Sequence, residues 1–121
     1  MRKILAVDDD KDILEVLQFI LEDSGFEVEA LSDGKKLFTS IEANTPDLIL
    51  LDIMLGAVDG RDLCKEVKTN PHTCDIPVIL LSATHDIDYA KHKVGCPDAF
   101  VAKPFDIEQL LNAINLQLAA A

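Results

Sequence analysis

Five times along this chain a short apolar run stops at or just before a polar residue, and stretches of helical period lie between the runs. The runs are KILAV (residues 3–7), FEVEAL (26–31), DLILLD (47–52), VILLS (78–82) and AFVA (99–102). Runs of this length suit strands better than helices. An almost unbroken aliphatic run such as LILL belongs in a strand covered on both faces, as in a parallel sheet between helices. FEVEAL alternates apolar and acidic residues, which suits a strand nearer the sheet edge. Strand-like and helix-like segments alternate with no Ser/Gly linker, repeat or low-complexity stretch between them. That pattern predicts one doubly wound α/β domain over residues 1–121.

The helical stretches follow the same logic. After Asp10, which reads as an N-cap, Ile13, Val16, Leu17, Ile20 and Leu21 are spaced as one helix face, and Gly25 ends it. Leu37, Phe38 and Ile41 mark a second helix. Asp59 and Gly60 open a third, with Leu63, Cys64 and Val67 facing inward, and a fourth is expected within residues 84–97. Ile107, Leu110, Leu111, Ile114 and Leu118 line one side of the last, whose closing LAAA reads as a frayed end.

Composition removes several classes of function. With 11 basic against 22 acidic residues the net charge is −11, which repels nucleic-acid backbones and anionic membranes, so neither is an expected partner. No run approaches the ~18 apolar residues of a membrane span. The apolar stretch of MRKILAV is too short for a signal peptide, and a cytoplasmic protein is expected. Cys64, Cys74 and Cys96 form no C-x-x-C pair, so neither a zinc knuckle nor a disulfide framework is implied, and Cys64 reads as core filler. His72, His85 and His92 lack the spacing of a paired metal site and read as solvated.

The chemistry lies at the strand ends. In an open parallel sheet, ligands bind outside the carboxyl ends of the strands. Here those positions hold Asp8, Asp9 and Asp10 after the first strand, Asp52 after the third, Ser82 after the fourth and Lys103 after the fifth. Two carboxylates about 4 Å apart repel by roughly 4 kcal/mol at an effective dielectric near 20, so such a cluster needs cations. The Lys103 ammonium is one candidate. A hard divalent ion, Mg²⁺ with Mn²⁺ as an alternative, is another. A carboxylate so placed can attack phosphorus while metal and lysine neutralise the equatorial oxygens, which makes the site a phosphoryl acceptor.

VDDD, LILLDIM, LLSA and FVAKPF stand in the order, and at nearly the spacing, of the receiver domains of bacterial two-component response regulators, and the whole chain resembles that family. The resemblance implies a flavodoxin-like, five-stranded parallel sheet of order 2-1-3-4-5, with five helices in three α/β/α layers. It implies Asp52 as phosphoacceptor, Asp9 as a direct Mg²⁺ ligand, Asp8 holding a metal-bound water and Met54 lending its backbone carbonyl. Lys103 would pair with the phosphoryl oxygens, with a cis peptide between Lys103 and Pro104. Ser82 and Phe100 would be the switch residues, signalling through the fourth helix, fifth strand and fifth helix. The phosphodonor would be a sensor histidine kinase or phosphotransfer protein, and the output a downstream protein or an attached effector domain. Such a domain catalyses only its own phosphorylation and dephosphorylation.

The chain departs from the family pattern at three places. Gly56 replaces a common proline, which implies a looser loop. The segment from Ser82 to Gly95 is about two residues short, while GCPDAF is one residue long. Met54 and Thr84 flank the path of attacking water in a pairing that sets no lifetime for the phosphoryl group. Two other readings compete. A haloacid dehalogenase-like phosphohydrolase would use Asp8 and Asp10 as its Asp-x-Asp, but the chain has no room for a cap and lacks the second acidic pair after the lysine. A receiver-like module used only for binding would not need the full set of acids.

Overall fold

The aliphatic run at residues 48–52 forms β3 (Leu48–Asp52), buried along its whole length at the centre of the molecule. A computed structural model describes residues 2–83 and 97–120. Before β3 come β1 (Lys3–Val7), α1 (Lys11–Asp23), β2 (Glu27–Leu31), a 3₁₀ turn (Gly34–Lys36) and α2 (Leu37–Ala43). After it come a two-residue ladder of β4 (Met54–Leu55) and β5 (Val58–Asp59), then α3 (Gly60–Thr69), β6 (Val78–Ala83), β7 (Ala99–Lys103) and a last helix, α4 (Ile107–Ala120). The main sheet runs β2-β1-β3-β6-β7 with every neighbour parallel. Leaving aside the small ladder, this is the expected order 2-1-3-4-5.

Side chains alternate across a strand, so each buried strand feeds two cores. Leu5, Val7, Ile49, Leu51, Val78 and Leu80 face α2 and α3, where they meet Leu37, Ile41, Leu63, Cys64 and Val67. Ile4, Ala6, Leu48, Leu50, Ile79, Leu81 and Val101 face α1 and α4 and meet Leu14, Leu17, Leu21, Leu110, Ile114 and Leu118. Each fully buried Leu or Ile contributes roughly 1.5–3 kcal/mol, which is why the four aliphatics of β3 hold its end rigidly. β2, at the edge, is partly exposed, in keeping with its mixed sequence.

Caps appear where the sequence puts them. Asp10 accepts from the amides of Asp12 (2.9 Å) and Ile13 (3.4 Å), and Asp59 accepts from the amide of Arg61 (2.8 Å). The inner face of α1 differs from the expected one. Leu14, Leu17 and Leu21 are buried, whereas Val16 is 50% exposed and Ile13 and Ile20 are only partly covered. Two apolar stripes run along this helix, and periodicity alone does not say which one meets the sheet. Ile107 is likewise half-exposed, and the expected frayed end is helical through Ala120. The fourth helix expected within 84–97 falls almost wholly on residues 84–96, outside the described residues, as do Thr84, His85, His92 and Cys96. Among the described residues, no helix is long and apolar enough to cross a membrane.

Candidate functional site

β1 and β3 are adjacent and in register, Val7 beside Leu51, so the next residues, Asp8 and Asp52, emerge together at the rim of the sheet. Both are almost fully buried, with side chains 1% and 6% exposed. Lys103, at the end of β7, reaches back past the end of β6. Its Nζ lies 2.9 Å from Asp8 Oδ2 and 3.1 Å from Asp52 Oδ1. The other Asp8 oxygen accepts the Asp10 amide at 3.0 Å. Asp9 is exposed at the mouth, and Asp8, Asp9 and Asp52 each place a carboxylate oxygen within 4.8 Å of the other two.

Among the described residues, three carboxyl groups face one ammonium at this rim, an excess of acid. Burial, and then the Asp8 charge, push the Asp52 carboxyl above its ordinary value, against the pull of Lys103 and the Met54 N–H. Burial works against the charge on Lys103, yet its hydrogen bonds to Asp8 and Asp52 outweigh this and raise its pKa, so it stays cationic. An all-oxygen set with this excess of charge fits a hard divalent cation, and Mg²⁺ matches that chemistry.

Ser82 and Met54 flank this rim, and Phe100 lies three residues before Lys103 in β7. Ser82, 2% exposed, lies near the end of β6 and pairs with Ala102 in register. Phe100, in β7, packs partly buried against the core under α2 and α3. The Lys103–Pro104 peptide is cis. The Met54 side chain is 72% exposed, and its amide points at Asp52.

Sequence reasoning missed how the loop after Asp52 is held. Instead of the looser loop expected at Gly56, residues 54–59 fold into the β4–β5 ladder, turned by Gly56 at φ +66°. The Gly60 amide then closes the loop onto the Ile53 carbonyl at 2.8 Å. The Asp59–Gly60 pair, read only as a helix start, was the available signal. Also missed was a groove of about 510 Å³ beside the rim, lined by Asp12, Ile13, Val16, Lys103, Pro104 and Phe105. It follows from the rotated face of α1.

Residues 4–115 of the chain that carries this cluster match the response regulator receiver domain. The chain belongs to that family. It is 36% identical over 119 residues to the DNA-binding dual master transcriptional regulator RpaA of Synechocystis, covering 98% of this chain and 49% of that protein. It is 34% identical over 125 residues to the response regulator ArlR of Staphylococcus saprophyticus, covering 98% and 53%. The chain therefore spans about half the length of these curated relatives. Among solved structures, the receiver domain of a signal transduction histidine kinase from Syntrophus aciditrophicus superposes with a TM-score of 0.91 at 29% identity, covering 100% of this chain and 92% of that one. The receiver domain of NtrX from Brucella abortus does so at 0.88 and 30%, covering 98% and 99%.

Proposed function

We propose that residues 1–121 form a single receiver domain that stores a signal as a phosphoryl group on Asp52. The observation that carries this reading is the buried Asp52 carboxylate, held with Asp8 and Asp9 within 4.8 Å and bridged to Asp8 by one lysine. An Asp52 oxygen attacks the phosphorus of a phosphohistidine on a kinase or phosphotransfer protein. The O–P bond forms as the N–P bond breaks, and the electron pair leaves with the imidazole nitrogen, which takes up a proton. The product is an acyl phosphate.

Asp9, Asp52 and the Met54 carbonyl, with Asp8 through water, are the residues that would hold Mg²⁺, which when bound neutralises charge on the transferring oxygens. Lys103 turns from the carboxylates to the phosphoryl group. The Ser82 hydroxyl donates to it, a bond that only the phosphorylated state offers in charge-assisted form. Phe100 follows by repacking, and populations shift on the face built from the segment after β6, β7 and α4. The domain catalyses only its own phosphorylation and dephosphorylation.

The groove beside Lys103 gives the donor a place to dock. Val16 and Phe19, 50% and 75% exposed, stand on the outer face of α1 among Asp12, Glu15, Glu22 and Asp23. A donor helix with apolar residues flanked by basic ones complements that face. The output passes to a downstream protein or to an attached effector domain, with the charge of −11 weighing against nucleic-acid contact by this part of the chain. Mass analysis after incubation with Mg²⁺ and phosphoramidate tests the reading. The expected result is one phosphoryl adduct that Asp52→Asn abolishes, and an adduct of wild-type extent in that variant would assign the acceptor elsewhere.

A further inference from the structure

Gly60 is buried at the first turn of α3, and its backbone does not need glycine's left-handed freedom, since its φ is not positive. What it needs is space. A Cβ at this position would stand 2.0 Å from the Asp52 carbonyl oxygen, 2.9 Å from the Asp52 carbonyl carbon and 2.9 Å from Ile53 Cα. All three are backbone atoms of a buried strand end, so no side chain can swing away to relieve the clash. The peptide of Asp52 and the start of α3 would have to separate by about 1 Å to reach even a tight contact of 3.0 Å.

The same close approach shuts the loop that follows Asp52. Gly60 donates its amide to Ile53, Met54 pairs with Asp59 and Leu55 with Val58. This closed loop carries the Met54 N–H that hydrogen-bonds the Asp52 carboxylate. The backbone on one side of Asp52 is thus fixed by β3, and on the other by a clamp that only glycine at position 60 allows to close.

We propose that Gly60 is a positioning residue for phosphoryl transfer: by admitting α3 against the Asp52 peptide, it closes the 53–60 clamp and aims the Asp52 carboxylate at the incoming phosphorus. The inference rests on Asp52 being the phosphoacceptor. An Ala at position 60 removes no catalytic side chain but displaces the nucleophile, Asp52, and misplacement of about 1 Å costs up to roughly a hundredfold in rate.

The test measures phosphoramidate-driven phosphorylation at saturating Mg²⁺, as a rate per folded molecule, in wild type, Gly60→Ala and Gly25→Ala. Gly25 lies at the end of α1 with φ +94° and open space around its Cβ, so its substitution destabilises by backbone strain without touching Asp52. The expected result is a rate lowered about tenfold or more in Gly60→Ala at saturating Mg²⁺ and donor, with Gly25→Ala at the wild-type rate. A wild-type rate per folded molecule in Gly60→Ala, or an equal loss in Gly25→Ala, overturns the proposal. Should Gly60→Ala not fold even in trimethylamine N-oxide, Gly56→Ala replaces it, because it strains the turn of the same clamp. That variant should also be slowed, and wild-type kinetics in it overturn the proposal equally. Failure of wild type itself to form an Asp52 adduct is a separate outcome, which removes the functional reading and this inference with it.

Discussion

β1 ends in two charge clusters of opposite character. At its start, Lys3 is almost buried, pairs with Glu29 Oε1 at 2.7 Å and donates to the Asn44 carbonyl at 3.3 Å, while Ser40 donates to the other Glu29 oxygen and the Lys3 amide to Asp47. The hydrogen bond from Lys3, then that from Ser40, holds the Glu29 carboxyl below its usual value. At its far end, Asp8 shares one lysine with Asp52, whose carboxyl is pushed up. The first cluster is satisfied and ties β2 and α2 to β1. The second, among the described residues, is short of positive charge, and that deficit is what the proposed metal ion and phosphoryl group would use. The comparison teaches that similar residues become structural or reactive according to whether each charge finds its own partner.

The largest expected effect comes from removing Lys103, which bridges the two acids of the second cluster. In a chelator, Lys103→Met leaves Asp8 and Asp52 buried together and should cost about 3 kcal/mol in urea unfolding. A loss no larger than that of an exposed lysine would mean that the two carboxylates are not in conflict. Next, adding the missing charge should stabilise: Mg²⁺ at about a hundred times its Kd should raise unfolding free energy by about 2.7 kcal/mol, and Asp9→Ala should remove that gain. An unchanged Mg²⁺ titration in Asp9→Ala would take Asp9 out of the metal site.

Removing one of the crowded acids should also stabilise. Because the folded-state pKa of Asp52 is raised, the folded protein holds that proton more tightly, and the penalty for ionising it is present above the folded pKa. Asp52→Asn should therefore raise the unfolding free energy and the Tm at pH 7 in a chelator. The gain should shrink as pH falls from the folded pKa toward the ordinary 3.8. Glu29 gives the opposite slope. Its folded pKa lies below the ordinary 4.5, so its contribution is present above that value and lost as pH falls through the folded pKa. With its side chain 38% exposed, Glu29→Gln should cost only about 0.5 kcal/mol at pH 7 and nothing in acid. Parallel pH profiles for the two variants would erase the contrast between the clusters.

The rim was legible in the sequence because each of its residues follows an apolar run, and a parallel sheet brings all such positions to one edge. The Lys3 cluster was not, since Lys3, Glu29, Ser40, Asn44 and Asp47 meet only through the β1–β2 register and the placement of α2. The face of α1 was misjudged for a related reason: Leu14 and Val16 are equally apolar, and only packing against the sheet decides which is covered. The clamp at Gly60 escaped because a glycine after Asp59 looks like an ordinary helix start, whereas its role depends on a backbone approach that no local pattern records.

The register of Val7 beside Leu51 sets a rule for how this chain can change length. Deleting or inserting one residue within β1 or β3 would turn the strand's side chains to opposite layers, sending Asp8 or Asp52 away from the other while exchanging the contents of both cores. Length variation is therefore forbidden inside the strands and left to the connections. Among the described residues, the stretch from 70 to 77 can absorb it, where the chain passes from α3 to β6 at the end of the sheet away from the rim. Lineages of this domain should drift in the span of that connection while the spacing from Lys3 to Asp8 and from Leu48 to Asp52 stays constant.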